Sequence, residues 1–233
     1  IGGTFTGVGI AGNNFSANVA GVGSHNIIYT FTDANNCANA DTQTVQVNAL
    51  PVVSFTGLNA NYCNYAGSVA LQGTPAGGLF SGAGISGGDF SMNSAGVGVH
   101  EIVYAFTDGA GCSASDTQQT EVFALPIPFA GNDTAICLNQ SVQLNAIGGG
   151  SYLWSNGFAG ALQIVSPLVT TQFNVTVTDA NNCMAADSTI VTVNPLPLIA
   201  LTPTNVSCNG FDNGSIAANV SSGTQPFTYI WSN

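Results

Sequence analysis

A stretch of fifty residues occurs twice in this chain without a gap. Gly2–Pro51, GGTFTGVGIAGNNFSANVAGVGSHNIIYTFTDANNCANADTQTVQVNALP, meets Gly77–Pro126, GGLFSGAGISGGDFSMNSAGVGVHEIVYAFTDGAGCSASDTQQTEVFALP, when Cys37 is laid on Cys112. Phe5 falls on Phe80, Phe15 on Phe90, His25 on His100, Tyr29 on Tyr104 and Asp41 on Asp116. A third, partial copy, FNVTVTDANNCMAADSTIVTVNPLP, lays Cys112 on Cys183, Asp116 on Asp187 and Pro126 on Pro197. A period of this length makes the repeat the folding unit, with each copy one supersecondary block. Each copy ends in a proline-marked joint, NALP, FALP or NPLP. Proline fixes its own φ and holds the preceding residue extended, so the joints read as short, stiff linkers. Boundaries near Pro51, Ile127 and Ile199 divide the chain into 1–51, 52–127, 128–199 and 200–233. The first part is expected to lack its beginning and the last its end, as in a window cut from a longer precursor.

Within a copy the side chains follow a period of two. HNIIYTFTD, FNVTVTD and STIVTVN carry β-branched and aromatic residues in the pattern of half-buried strands. No segment sustains a helical period. Asn-Asn, Gly-Gly and Gly-Ala-Gly clusters supply turn chemistry between them. The expected fold class is all-β, a tandem array of immunoglobulin-like antiparallel β-sandwiches. In the third unit strands are expected at 141–146, 151–155, 162–165, 172–178 and 188–193. Trp154 in SYLW and Trp231 in TYIW are expected in cores; exposed Tyr–Trp pairs would instead suit sugar stacking.

Composition narrows the function. The 233 residues include no Lys or Arg, 11 acidic residues and two His, for a net charge of −11, and only 5% are charged where about 25% is usual. Phosphate neutralisation needs cations, so nucleic acid is excluded as a partner, and an anionic membrane surface would repel the chain. Intrachain Lys or Arg salt bridges, Lys–Asn isopeptide crosslinks and tryptic sites cannot exist. No apolar run approaches the ~20 residues of a spanning helix. No Ser-His-Asp order stands out, no cation can steady an oxyanion, and His25 and His100 are copies in register, which suits packing rather than catalysis. The expectation is no enzyme and no resident cofactor.

AGNDTAICLNQSVQLNAIGGGSYLWSNG with FNVTVTDANNCMAADSTIVTVNPLP resembles the Ig-like and PKD-like repeats of large Bacteroidota cell-surface proteins. GGLFSGAGI with FSMNSAGVGVHEIVYAFTDGAGC looks like a sister repeat. NVSCNGFDNGSIAANVSSGTQPFTYIWSN is similar to the first half of a gliding-motility adhesin repeat. The resemblance implies export by the type IX route, an extracellular, cell-surface location, and a stalk, adhesin or fibre role. Partners would be neighbouring repeats or other copies of the chain, with glycans as the alternative.

Three sets of candidate residues remain. A secreted setting favours disulfides. Each complete unit holds one early and one late cysteine, which suggests Cys63 with Cys112 and Cys137 with Cys183; Cys37 and Cys208 would pair outside the window. Such a loop of about 50 residues could add up to ~4 kcal/mol. Pairing of late with early cysteines across joints, or between chains in a fibre, is the alternative. Asp33, Asp108 and Asp179 open the repeated turn; they are read as turn formers, with calcium, which takes six to eight oxygens, as the second reading. DTA and DST resemble a Bacteroidota O-glycosylation motif at Thr134 and Ser188. Intact mass of the secreted protein checks this: added mass is expected, and an unmodified mass removes the site.

Overall fold

The computed structural model describes residues 2–65 and 67–231 as two compact units, Ile1–Val122 and Phe123–Asn233. The first unit is built on two copies of one long hairpin. In the first copy Gly23–Thr32 pairs antiparallel with Ala38–Val47, from Gly23 opposite Val47 to Thr32 opposite Ala38. In the second, Gly98–Thr107 pairs with Ser113–Phe123, from Gly98 opposite Val122 to Thr107 opposite Ser113. A short strand flanks each: Thr4–Thr6 sets Phe5 opposite Tyr29, and Leu79–Ser81 sets Phe80 opposite Tyr104. The paired rings, tilted against each other, have centroids 4.8 Å and 4.6 Å apart, so the gapless sequence match is also a match in register.

The second copy has two layers. Its main sheet runs Leu79–Ser81, Gly98–Thr107, Ser113–Phe123, Asn61–Cys63. Opposite lie the sheet Ile85–Ser86, Asp89–Ser91, Ser68–Ala70 and the pair Ser54–Thr56 with Gln72–Thr74. Phe55, Leu71, Phe90, Ile102, Tyr104 and Val122 fill the space between them. Alternation explains the selection: along Gly98–Thr107 every second side chain turns inward, as the pleat requires. Asn14–Phe15 and Asp89–Ser91 are each followed by a single helical turn, Ala17–Ala20 and Met92–Ala95, which ends at Gly21 or Gly96. A turn this short leaves no helical periodicity to read.

In the second unit the four-stranded sheet runs Thr134–Cys137, Met184–Asn194, Thr171–Thr178, Ser151–Trp154, and a pair, Val142–Asn145 with Leu162–Val165, faces it. Trp154, Phe173, Val175, Val177, Val191, Leu144 and Val165 form the core. Trp154 is 1% exposed, and its indole N–H donates to the Gly160 carbonyl at 3.0 Å. Four of the five expected strands lie within a residue or so of their expected bounds; the last begins at Met184 rather than 188. One strand escaped the sequence reading. Thr134–Cys137 lies parallel to Met184–Asn194, with Thr134 opposite Val191 and Cys137 opposite Asn194. It is four residues long and half-buried, too short to show a period. Beyond it, Ile199–Thr204 and Ser215–Val220 form a separate antiparallel hairpin with mostly exposed side chains.

Tyr104 sets the tightest packing. Its hydroxyl accepts from the Gly78 N–H at 2.8 Å and donates to the Pro75 carbonyl, and its ring fills the place a Cβ on Gly73 would take, 2.0 Å away. Gly73→Ala is expected to cost about 1–3 kcal/mol by overpacking. Gly109→Ala, where a Cβ meets nothing within 4 Å, should leave stability within about 0.5 kcal/mol. Denaturant midpoints measure both.

Candidate functional site: the repeated aspartates and cysteines

TDANNC, TDGAGC and TDANNC close the three long hairpins in one geometry. The N–H of Asp33, Asp108 and Asp179 donates to the carbonyl of Cys37, Cys112 and Cys183 at 3.0, 2.9 and 3.0 Å. The carboxylate then folds over the turn. Oδ1 of Asp33 accepts from the N–H of Asn35 and of Cys37, both at 2.8 Å. Asp108 does the same for Ala110 and Cys112, and Asp179 for Asn181 and Cys183, all at 2.9 Å. The fourth residue after each Thr must enter the left-handed region: Asn36 at φ 65°, Gly111 at 84° and Asn182 at 62°. Asn and Gly tolerate that conformation, which explains the Asn/Gly alternation. The turn chemistry thus accounts for the aspartate. Among the described residues no three or more His, Cys, Asp or Glu side chains gather as a metal-holding group.

The second repeated aspartate has a separate task that the sequence reading did not assign. Asp116 Oδ2 accepts from the Phe55 N–H at 3.2 Å and from Gln118 Nε2 at 3.1 Å, while Gln118 Nε2 also donates to the Phe55 carbonyl at 2.8 Å. Asp187 Oδ2 accepts from the Ala130 N–H at 2.8 Å. Thr189 donates to the Asn132 carbonyl, and Asp133 accepts from the Ile190 N–H at 2.8 Å. These side chains pin the first segment of the second and of the third repeat to its last strand. In the first repeat Gln43 Nε2 donates to Asp41 at 3.0 Å, the counterpart of the Gln118–Asp116 bond. The signal was present in the sequence: an aspartate recurs at one fixed distance after the turn in all three copies.

His25 and His100 lie within the long strands. A ring nitrogen of each meets the carbonyl of Gly21 or Gly96 at 2.8 Å. A carbonyl can only accept, so Nε2 carries the proton there. Both histidines close the single helical turn that precedes them.

The cysteines depart from the expected pairing. Cys63 and Cys183 are disulfide-bonded, whereas Cys37, Cys112, Cys137 and Cys208 are thiols. The structure therefore holds neither Cys63–Cys112 nor Cys137–Cys183, and strand length explains why. Cys137 stands opposite Asn194, at one end of an 11-residue strand, and Cys183 directly precedes its other end. At ~3.3 Å per residue they are roughly 36 Å apart, against less than ~7 Å between the Cα atoms of a cystine. In the second repeat Glu121 N–H donates to Ala60 O at 2.9 Å, three residues before Cys63, while Cys112 precedes Ser113 at the far end of that strand. Even folded back, Cys63 stays more than about 20 Å from Cys112.

Thr134 begins its strand opposite Val191, and Ser188 sits mid-strand opposite Asn174, both half-buried. The expectation for Trp231 is corrected: it is 56% exposed. It borders an open cleft of about 620 Å³ with Pro203, Val206, Gly214 and Ile216. Among the described residues no sheet faces the hairpin Ile199–Thr204 with Ser215–Val220 to bury it.

Residues 200–233 match the SprB repeat family, a repeat of Bacteroidota gliding adhesins, in keeping with the resemblance seen in the sequence. No curated protein matches the chain in sequence. Among solved structures it is similar to a Ca2+-stabilized adhesin that helps an Antarctic bacterium reach out and bind ice: 14% identity over 86% of this chain and 66% of that one, TM-score 0.32. Titin I67–I69 gives 11% identity over 73% and 74%, TM-score 0.31. A Bacteroides ovatus mixed-linkage glucan utilization protein, SGBP-B, gives 13% over 91% and 64%, TM-score 0.20. The chain spans less than two thirds of the first two structures it matches.

Asp179→Ala leaves two N–H donors without their acceptor and is expected to cost about 1 kcal/mol; Asp179→Asn, which keeps an acceptor oxygen, should cost less. Millimolar calcium is expected to leave the melting temperature unchanged. A rise that Asp179→Asn abolishes would assign the turn to calcium.

Proposed function

We propose that the chain is a structural module of an extracellular bacterial surface protein, in which sandwich repeats at 52–127 and 128–199, flanked by partial repeats at 1–51 and 200–233, build a stalk, adhesin shaft or filament. One observation carries this reading. The same hairpin, closed by the same aspartate turn, recurs three times, and its most regular side chains are spent on holding backbone. A catalytic site would single out one copy. The SprB repeat match at 200–233 supports an adhesin setting on the cell surface. Sparse charge and faces rich in Thr, Ser, Asn and Gly favour lateral packing of neighbouring repeats, so the partners proposed are other repeats and other copies of the chain.

Glycan binding is the second reading, and Trp231 favours it: an exposed indole beside an apolar cleft suits stacking on a sugar face. Two measurements separate the readings. Negative-stain microscopy of the concentrated protein, kept in reductant, is expected to show filaments or laterally packed bundles, while a glycan array stays blank. Isolated particles together with glycan signal that Trp231→Ala removes would replace the structural reading by the binding one.

A further inference from the structure

The two copies of the long hairpin in the first unit carry nearly the same inward side chains, but only the second copy is covered. Phe90, Ile102, Tyr104 and Val122 are at most 2% exposed. Their equivalents, Phe15, Ile27, Tyr29 and Val47, are only half-buried, and Phe5, the equivalent of Phe80, is 39% exposed. The cover of the second copy is the segment 52–76. Its strand Asn61–Cys63 extends the main sheet beside Ser113–Phe123, and Ser68–Ala70 extends the small sheet beside Asp89–Ser91. Ser54–Thr56 pairs with Gln72–Thr74 opposite the main sheet, and Phe55 meets Phe80 edge-on, with 5.4 Å between ring centroids. Among the described residues, each sheet of the first copy stops one strand short. The main sheet ends at Ala38–Val47, and the small one is the pair Ile10–Ala11 with Asn14–Phe15. A ten-residue edge strand is a template for an added strand.

We propose that the first copy is an acceptor site for a polypeptide segment of the same chemistry as 52–76, added as strands at its two open edges and across its apolar face. The face already has the form that the second copy has under its cover. The Tyr29 ring lies over Gly3 as the Tyr104 ring lies over Gly78, since a Cβ on either glycine would collide with the tyrosine. Gln43 donates to Asp41 as Gln118 donates to Asp116. In the second copy that pair grips the backbone of Phe55, the carboxylate taking its N–H and the amide its carbonyl. The occupant is therefore specified by pattern. A phenylalanine comes first, its backbone held by the Asp41–Gln43 pair and its ring on Phe5. A glycine stands where Gly73 stands, because the tyrosine ring leaves no room for a Cβ. The segment 52–76 has no acidic residue, so a partner like it meets no charge repulsion from this acidic chain. The inference rests on the geometry of the repeat and not on the shaft reading, and peptide binding and filament formation can fail separately.

The test adds a synthetic peptide of residues 52–76, with Cys63→Ser to prevent thiol exchange, to the full chain. Calorimetry reads binding, and hydrogen exchange reads its place. Expected are one peptide per chain and slower amide exchange along Ala38–Val47 and Asn14–Phe15, with Gly98–Thr107 and Ser113–Phe123 unchanged. The same peptide carrying Gly73→Leu is expected to bind roughly tenfold more weakly or worse; this change lies in the peptide and leaves the folding of the chain untouched. Absence of binding, equal binding of the Gly73→Leu peptide, or protection confined to the second copy would each overturn the proposal. So would a dimer of the chain alone that protects Ala38–Val47 and excludes the peptide, which would make a second copy the occupant.

Discussion

Main-chain N–H groups do in this protein what lysine and arginine do elsewhere. A chain with no Lys or Arg can offer a carboxylate only neutral donors, and here these are chiefly backbone amides, with the Gln43 and Gln118 side chains beside them. Asp33, Asp108 and Asp179 each take two turn amides; Asp116 and Asp133 each take an amide from a strand, and Asp187 takes that of Ala130 in the first segment of its repeat. A hydrogen bond with one ionised partner is roughly twice as strong as a neutral one. It also has a direction that an ammonium on a flexible stem lacks. The two sets divide the work: one closes the long hairpin, the other docks the first segment of the repeat against it. The apolar cores lie behind the strands that these contacts hold.

Strand pairing was legible because alternation and the internal repeat carry the same information twice. Leu162–Val165 matches its expected bounds, and the gapless offset between copies reappears as register, Phe5 on Tyr29 and Phe80 on Tyr104. Met184–Asn194 was read short because MAAD has no β-branched residue, although the aspartate turn closes the hairpin right up to Cys183. Thr134–Cys137 was missed because four residues beside an edge give no pattern, and its parallel partner is distant in sequence. The structural role of the first aspartate could be argued from its neighbours. That of Asp116 and Asp187 could not, since their partners, Phe55 and Ala130, are backbone groups some sixty residues away.

The cysteines show where a one-dimensional rule fails. One early and one late cysteine per repeat suggests a staple, and loop-closure entropy rewards it. Geometry decides otherwise. In a sheet, sequence separation says little about distance, and a strand of eleven residues is stiff enough to forbid contact between its ends. An immunoglobulin-type bridge crosses between sheets; here both cysteines belong to one sheet, at its two ends. Trp231 is the converse case. Its motif matches that of Trp154, but burial is a property of the facing layer. Trp154 has that layer in Val142–Asn145 and Leu162–Val165, and Trp231 has only a hairpin.

A net charge of −11 without a single cation makes every long-range electrostatic interaction in this protein repulsive, both within a chain and between chains. Self-repulsion of that kind opposes compaction and association alike. It is screened over about 8–10 Å at 0.10–0.15 M salt. The carboxylates with the most regular contacts are held close to backbone amides at turns and strand edges, so the repulsion is spread along the repeat rather than gathered into a patch. What is left on the strand faces is Thr, Ser, Asn, Gln and exposed apolar side chains such as Leu79, Leu153 and Ile164, which approach one another at little electrostatic cost once salt is present. Within a repeat, attraction comes from the buried apolar core and from the aspartate–backbone bonds. Both are short-ranged, and both are set by the register of the strands. The absence of Lys and Arg thus bears on the design of the repeat: with no such ion pair available, aspartate–backbone bonds supply the polar share of its cohesion.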